Sequence, residues 1–583
     1  MKTPEPASAS PEHPIRLWPG VVAVLLQWFA WLVIPQLVPG TRLMGYALAG
    51  GSLLGGLAVV LWWAFGSRAP RPERVGALLL MPAAFVAAKG LLHPSMASAS
   101  MLYVLHGIPL LCLAFVLAVA LSRRMKGSAR RLVLAASILI ATFGWTLVRI
   151  DGVTGDFALE LAWRFTPTAE ERLMAQGGVS AQGAAAQTAA GEEWPGFRGP
   201  ARDGVVRGVP IATDWTTSPP VELWRRPVGP GWSSFAVRGN RVFTQEQRGE
   251  DELVTCYDAA TGQPVWAHRD AARFWEAIGG AGPRGTPTLA GERLFTLGAT
   301  GILNALDAVD GRLLWSRNLV SDTEVKVPDW GFSSSPLVLG DLVVVAASGR
   351  LAAYDAGTGE GRWKGPKTSG SYTSPHFANL GGVEQILMTN GKGITSFAPQ
   401  DGSKLWEHAW PGITLMQPAF TSEGDVLVNA SEATGGVGTR RLALSHGGSG
   451  WGITERLTSN GLKPYFNDIV VHEGYAYGLD GRILAAINLE TGERAWKGGR
   501  YGHGQLLLLP EQDLLLVLSE EGELALVEAV PEGYTELARR PAITGKTWNH
   551  PALVGDLLLV RNGQEMAAFR LPRQEGSAGA VSR

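Results

Sequence analysis

The chain has 583 residues, more than a single hydrophobic core usually serves, so two or more units are expected. A formal net charge of -1 excludes a global field that would gather nucleic acid. The two cysteines, Cys112 in an apolar run and Cys256 in a predicted strand, predict no disulfide, and no Cys/His spacing supports a structural zinc site.

Five apolar runs fill the first 151 residues, at 17–38, 43–65, 75–92, 101–121 and 132–150. Each is close to the ~20 residues a helix needs to cross the hydrocarbon, so five transmembrane helices are predicted. Four further runs follow the first, so it does not read as a cleaved signal peptide. Arg68, Arg71 and Arg74 lie between the second and third runs. Arg123, Arg124, Lys126, Arg130 and Arg131 lie between the fourth and fifth. The positive-inside rule puts both loops in the cytoplasm. The expectation is an inner-membrane protein with a cytoplasmic N-terminus and everything after the fifth run in the periplasm. Lys89, His93, His106, Arg149 and Asp151 then fall near the outer ends of the spans. They are candidates for holding a quinone or a lipid head group, or are side chains reaching the interface.

Residues 152–193 form a connector. Thr166-Pro167 followed by acids predicts a short surface helix with Thr166 as its cap, and 177–191 is rich in Gly, Ala and Gln, a flexible composition.

From Trp194 onward one stretch recurs. It reads Asp258-Ala-Ala-Thr261-Gly262-Gln-Pro-Val-Trp266, then Asp307 to Trp315, then Asp355 to Trp363, with weaker copies ending at Trp406 and Trp496. A period of roughly 40–50 residues marks a propeller, solenoid or array. The Asp and Thr-Gly supply a tight turn, the Trp opens the next strand, and nothing helical separates the copies. That is the pattern of four-stranded propeller blades. Setting the Trp positions in register gives Trp224, Trp266, Trp315, Trp363, Trp406, near Arg456, Trp496 and near Leu537, hence eight blades over 194–571. The last blade has three strands. The missing one is expected at the other end of the domain, around Trp224, closing the ring and removing a free sheet edge. Residues 572–583 read as a disordered tail. The predicted architecture is an all-β eight-bladed propeller behind an α-helical membrane domain.

In a propeller the innermost strands begin at one face and converge on the axis. The starts of these strands carry Trp232, Arg284, Trp330, Tyr372, Gln417, Lys463, Tyr465, Asn467, Tyr501, Gln505, Lys546, Trp548 and Asn549. Aromatic walls with a few convergent polar groups suit a ligand site, and the bases favour an anionic ligand. Asp468, His503 and His550 are the candidates for acid–base work, and Asn467 with Asp468 are weak candidates for holding a metal ion. The same residue types also pack blade against blade and satisfy turn backbones.

At the repeat, Ala305–Trp315 and Ala353–Trp363 resemble the pyrroloquinoline-quinone (PQQ) propeller superfamily motif Ala-x-Asp-x-x-Thr-Gly-x-x-x-Trp, with Asp310 in place of Thr. The resemblance covers 194–571. The superfamily holds quinoprotein dehydrogenases and non-catalytic members such as the outer-membrane assembly factor BamB. A polytopic anchor before a periplasmic propeller is similar in layout to membrane-bound quinoprotein glucose dehydrogenase. Three features depart from the dehydrogenases. The chain has no adjacent cysteine pair, no full calcium ligand set and no long insertions in its blades. Unlike BamB lipoproteins, it carries several apolar spans.

Two main readings follow. One is a non-catalytic propeller binding a ligand or a periplasmic or outer-membrane-assembly protein at its funnel face. The other is a dehydrogenase with PQQ on Trp548 or Trp232, calcium, a base at Asp468 or His503, and electron transfer to membrane quinone. A structural spacer is the third.

Overall fold

The structure, a computed structural model, describes residues 15–38, 42–155, 158–177, 193–431, 434–448 and 450–574. The chain forms two compact units, Met1–Thr166 and Pro167–Arg583.

In the first unit, four helices among the described residues are long and apolar enough to cross a membrane: Trp18–Leu37, Arg42–Gly66, Ser100–Ser122 and Gly127–Leu147. Five helices of this kind were expected, and four meet that standard. The third run is helical over Arg71–Lys89, but it carries Arg71, Glu73, Arg74 and Lys89 and is interrupted by Pro82. Charges of this kind are costly in hydrocarbon and lower the helix below the others. Glu73 is buried and accepts from Arg130 Nε at 2.8 Å and Nη2 at 2.9 Å. This bidentate pair brings the two basic loops to the same end of the bundle. Farther along the same helix, Ala77, Met81 and Ala84 pack with Trp63, Phe115, Leu134 and Ile138.

At the other end Arg149, Asp151, His93 and His106 have local partners. Arg149 is buried, and its Nε donates to Asp151 Oδ1 at 2.5 Å within the hairpin Val148–Val153/Leu159–Trp163. His93 caps the short helix Pro94–Ser98 by accepting the Ser95 N–H at 3.3 Å. His106 meets the edge of Trp31 at 5.4 Å.

The second unit opens with the helix Ala169–Ala175. Its cap is Thr168, which forms a reciprocal capping box with Glu171, and not Thr166 as the Thr-Pro pair suggested. Glu170 accepts from the Gly249 N–H at 2.8 Å and from Arg273 at 2.8 and 3.0 Å, so this helix is docked on the first blade. Most of the Gly/Ala-rich stretch, residues 178–192, lies outside the described residues.

Eight blades follow. Blade 1 gains a short inner strand, Glu193–Trp194, beside Ala236–Arg238. Blade 8 is completed by Val221–Pro227, antiparallel to Glu565–Arg570, as the strand count predicted. Of the expected tail, residues 572–574 are held against 210–212: the Ala212 N–H donates to Pro572 O at 2.7 Å, and Ile211 bridges Arg573. The remainder, 575–583, lies outside the described residues.

The repeat now has a packing explanation. Asp258 Oδ1 accepts the N–H groups of Ala260 and Thr261, fixing the turn. Gly262 sits at φ 66°, and a Cβ there would lie 2.6 Å from the ring of Trp224 in the preceding blade. Gly311 stands in the same relation to Trp266 at 2.4 Å. The indole N–H then reaches over the turn: Trp224 Nε1 donates to Ala259 O at 2.8 Å and Trp315 Nε1 to Ala356 O at 3.1 Å. Each motif is thus a socket for the Trp of the blade before it. The two degenerate Trp positions are Leu457, which pairs with Arg441, and Ala538, which pairs with Leu526, each one residue beyond the expected place.

Candidate functional site

Strand direction fixes which side chains meet at the axis. The first strand of every blade runs away from the funnel face, so the residues just before it converge there. They form a closed circuit of hydrogen bonds joining each blade to the next. The Ser234 N–H donates to Thr286 Oγ1 at 3.0 Å, Thr286 N–H to Ser335 Oγ at 3.0 Å, and Ser335 N–H to Ser374 Oγ at 2.8 Å. With its amide turned to satisfy both groups, Gln417 donates to Ser374 O at 2.8 Å and accepts from the Ser374 N–H at 3.2 Å. The Gln417 N–H donates to Asp468 Oδ1 at 2.7 Å. Asn467 Nδ2 then reaches Gly504 O at 2.6 Å, Gln505 Nε2 reaches Trp548 O at 3.1 Å, and Asn549 Nδ2 reaches Ser233 O at 2.7 Å. Gln417, Asn467, Asp468, Gln505 and Asn549 are therefore fasteners between blades. The amide oxygens of Asn467, Gln505 and Asn549 stay buried without a protein partner.

Beneath this circuit the axis is plugged by a segment that the repeat pattern does not reveal. From Trp194 the chain crosses the interior. The Leu289 N–H of blade 2 donates to Pro195 O at 2.7 Å, Arg202 donates to Ser335 O and Pro336 O of blade 3, and Arg198 Nη2 to Ile469 O of blade 6. The Val206 N–H donates to Leu508 O of blade 7, and Phe197 meets the ring of His550 in blade 8 at 5.0 Å. Arg198 and Arg202 both adopt left-handed backbone, φ 59° and 57°, uncommon outside glycine. Pro and Gly break any strand period here, and neither arginine was among the candidate residues.

The plug decides the state of Asp468. Burial pushes this carboxyl up, but Arg198 at 3.4 Å, His550 at 3.2 Å and the Gln417 N–H outweigh it and hold the carboxyl at about 2. Burial lowers His550, and the facing Asp468 only partly restores it. In blade 4, His376 is pushed down to about 3, first by burial and then by the positive charges of Arg202 and Arg198. The axis therefore holds neutral histidines and a carboxylate already matched by a guanidinium.

The aromatic candidates gather nearer the face. Trp232 and Trp548 pack at 4.8 Å between centroids, and Phe466 meets Trp548 edge-on at 5.1 Å. His503 stacks on Phe466 at 5.5 Å and meets Tyr465 at 5.8 Å. Lys546 Nζ lies 4.5 Å above the Trp548 ring and 5.4 Å above Trp232. Glu520 orients the group by accepting Trp548 Nε1–H at 2.8 Å and the His503 N–H at 3.0 Å, and Trp232 Nε1 donates to Gly279 O at 2.6 Å. Trp330 and Tyr372 form a second pair at 4.8 Å. Under Trp330, Arg284 donates to its carbonyl at 3.1 Å, pairs with Glu276 at 3.1 Å and bonds Gly280 O at 2.8 Å. Lys463 sits at the rim, its N–H on Asp480 Oδ1 at 3.1 Å. Tyr501 does not join the patch. It is 1% exposed, with its hydroxyl on Glu536 at 2.5 Å and Tyr534 at 2.8 Å. Phe466, Glu520 and His376 were not foreseen. A Phe or Glu in a loop carries no sequence signal until its neighbours are known.

A calcium-held PQQ does not fit these residues. PQQ stacked on Trp548 or on Trp232 would need an open indole face, and the two rings already pack on each other at 4.8 Å with Lys546 Nζ 4.5 and 5.4 Å over them. Arg284 is committed to Glu276 and to carbonyls. Calcium takes six to eight oxygens, whereas the axial carboxylate faces a guanidinium.

Comparison with known proteins agrees with the repeat. Residues 221–376 match the family described as outer membrane protein assembly factor BamB, so the repeats over that stretch are of this type. The BamB of Shewanella oneidensis is 33% identical over 155 residues, covering 25% of this chain and 36% of that protein. The chain thus spans about a third of that relative's length. Among solved structures, BamB from Moraxella catarrhalis aligns over 61% of this chain and 99% of its own, at 14% identity and a TM-score of 0.46. A europium-containing methanol dehydrogenase aligns over 65% and 98%, at 12% identity and 0.47.

Proposed function

We propose that the chain is a membrane-anchored propeller that holds a protein partner on its funnel face and performs no chemistry there. One observation carries the reading. The carboxylate that a base would require, Asp468, is bound by Arg198 and His550, while the Trp232–Trp548–Lys546 patch is half-exposed in a fixed arrangement. General-base catalysis needs a proton acceptor within reach of the substrate proton and with a matched pKa; a buried carboxyl at about 2 has neither. The matched relative is named an outer membrane protein assembly factor, which supports a protein of that assembly as the partner. The basic loops support an inner-membrane placement with a cytoplasmic N-terminus and the propeller in the periplasm.

The test uses the full chain in a neutral detergent. A photo-crosslinking residue at position 548 is expected to capture a discrete envelope protein, and Lys546→Glu together with Trp232→Ala to abolish the adduct without lowering Tm. PQQ with calcium is expected to give no bound-quinone spectrum. A tight, calcium-dependent spectrum lost in Lys546→Ala would overturn the reading in favour of a dehydrogenase.

A further inference from the structure

The two faces of the propeller differ in charge, and the difference is built into the repeat. The turn between the third and fourth strands of a blade carries the motif acid. Asp258, Asp307, Asp355 and Asp401 each accept N–H groups of their own turn, so a carboxylate is fixed on the face away from the funnel. The turns between second and third strands emerge on the funnel face. There the chain places Arg350 after the strand Leu342–Ala346, Lys392 between Val383–Asn390 and Gly393–Phe397, and Arg482 between Tyr475–Asp480 and Ile483–Asn488. Lys463, Arg500 and Lys546 lie on the same face, on the connections into blades 6, 7 and 8. Lys392 and Arg500 are exposed, and the other four are half-buried.

Two carboxylates in this sector are engaged. Asp480 is paired with Lys497 at 2.6 Å and Arg494 at 2.9 Å. Glu520 holds Trp548 and the His503 backbone. Glu521 on the rim, and Glu324 and Asp329 on the connection into blade 3, are exposed. The whole chain has a net charge of -1, so this is a separation of charge across the disc and not an excess of it. In ring order these bases run from blade 3 round to blade 8, where Lys546 meets the aromatic patch.

We infer that the funnel face takes an acidic peptide segment, with carboxylates on the Arg350–Lys392–Lys463–Arg482–Arg500 rim and an apolar or aromatic side chain on the Trp232–Trp548 patch. This rests on the reading of the funnel as a partner surface and adds the chemistry of the partner. Charge complementarity selects and steers such a segment, and an aromatic patch supplies an anchor point of the kind that dominates binding energy. A bilayer is disfavoured as the occupant. Both indole N–H groups already have protein acceptors, Trp232 Nε1 on Gly279 O and Trp548 Nε1 on Glu520, so neither is left to bond a lipid head group.

The experiment is fluorescence anisotropy on the detergent-solubilised full chain with two labelled peptides of about ten residues. Both contain two Phe; one is otherwise rich in Glu and the other in Lys. The Glu peptide is expected to bind, and to lose about tenfold or more in affinity between ~50 and ~300 mM salt as the rim is screened. Lys463→Glu/Arg482→Glu/Arg500→Glu is expected to lose at least about tenfold, and the separate pair Arg350→Glu/Lys392→Glu to lose affinity with an unchanged melt. Trp548→Ala is expected to weaken binding while leaving the salt slope in place. Equal binding of the Lys peptide, or Glu-peptide isotherms unmoved in both charge-reversal variants, would overturn the inference. So would displacement of the Glu peptide by dihexanoyl-phosphatidylglycerol below its micelle concentration, which would assign the rim to a lipid head group. A crosslinked partner at position 548 with no Glu-peptide binding overturns only the acidic chemistry; loss of both results also removes the partner surface.

Discussion

His376 and Glu252 are both buried and respond to pH in opposite directions. His376 is neutral in the fold and is pushed down to about 3, while in the unfolded chain it titrates near 6.5. The unfolded state therefore binds the extra proton between those values, and stability falls as pH drops through that range, at up to about 1.4 kcal/mol per pH unit for one proton. Glu252 is pushed up to about 7, first by burial, and is eased only by the Ala299 N–H and the charge of Arg284. Its unfolded value lies near 4.5, so stability falls as pH rises from 4.5 to 7. Glu252 Oε2 has no partner, whereas Oε1 accepts the Ala299 N–H at 3.2 Å. Glu252→Gln keeps the accepted bond and removes the titration. It is expected to raise Tm at pH 8 and to leave it unchanged at pH 4.5. His376→Gln is expected to flatten the loss between pH 6 and 4. Melts across pH 4–8 check both, and parallel curves for the two variants would contradict these assignments. Asp468 acts in a lower window, because a carboxyl held at about 2 loses its contribution only as pH falls below about 4.

At the scale of the element, the motif is a joint between blades, and its two halves fail differently. Trp266 is 5% exposed and packs over Gly311. Trp266→Ala leaves a cavity and is expected to cost about 3–5 kcal/mol. Gly311→Ala forces a Cβ to 2.4 Å from the indole at φ 75°. It is expected to cost more than the ~1 kcal/mol typical of a misplaced Cβ, because strain and overlap add. Urea denaturation of both variants and of the double variant is the check. If the two act on one joint, the double variant costs less than the sum. The blades, the closing strand and the socket were legible because each rests on a local signal repeated along the chain: period, turn chemistry and one Trp. The two joints without Trp, at Leu457 and Ala538, blurred to within one residue for the same reason. The plug was not legible, since Arg198 finds Asp468 and Ile469 only after the ring has closed, and no period leads from one to the other. The candidate site was legible as a set of positions but not as roles. Sequence placed Gln505 and Asn549 at the axis, and only geometry showed that their amides are committed to Trp548 O and Ser233 O.

For the molecule as a whole, the number of spans decides on which side the propeller lies. Four helices satisfy length and composition, and the fifth, Arg71–Lys89, packs in the same core while carrying charges at both ends. If it crosses, the two ends of the chain lie on opposite sides of the membrane; if it does not, they share one. The Glu73–Arg130 pair holds its first turn beside the basic loop, which favours a crossing. Cysteine labelling with a membrane-impermeant maleimide is expected to modify a cysteine at the exposed turn residue Asp401 in intact spheroplasts, but not one at Arg124. The reverse pattern, or labelling at both, would count against five crossings.

The strand Val221–Pro227 belongs to blade 8, yet it is made before any blade exists. A ribosome adding roughly 5–20 residues per second needs tens of seconds to reach its partner, Glu565–Arg570. Throughout that interval the strand has an open edge and an unplaced Trp224. The plug waits too, because its carbonyl partners at Ser335 and Ile469 and the N–H it meets at Leu289 arrive one after another. The first part of the propeller to be synthesised is therefore among the last to find its place, and a chain cut short anywhere before blade 8 is left with an open ring and a loose strap.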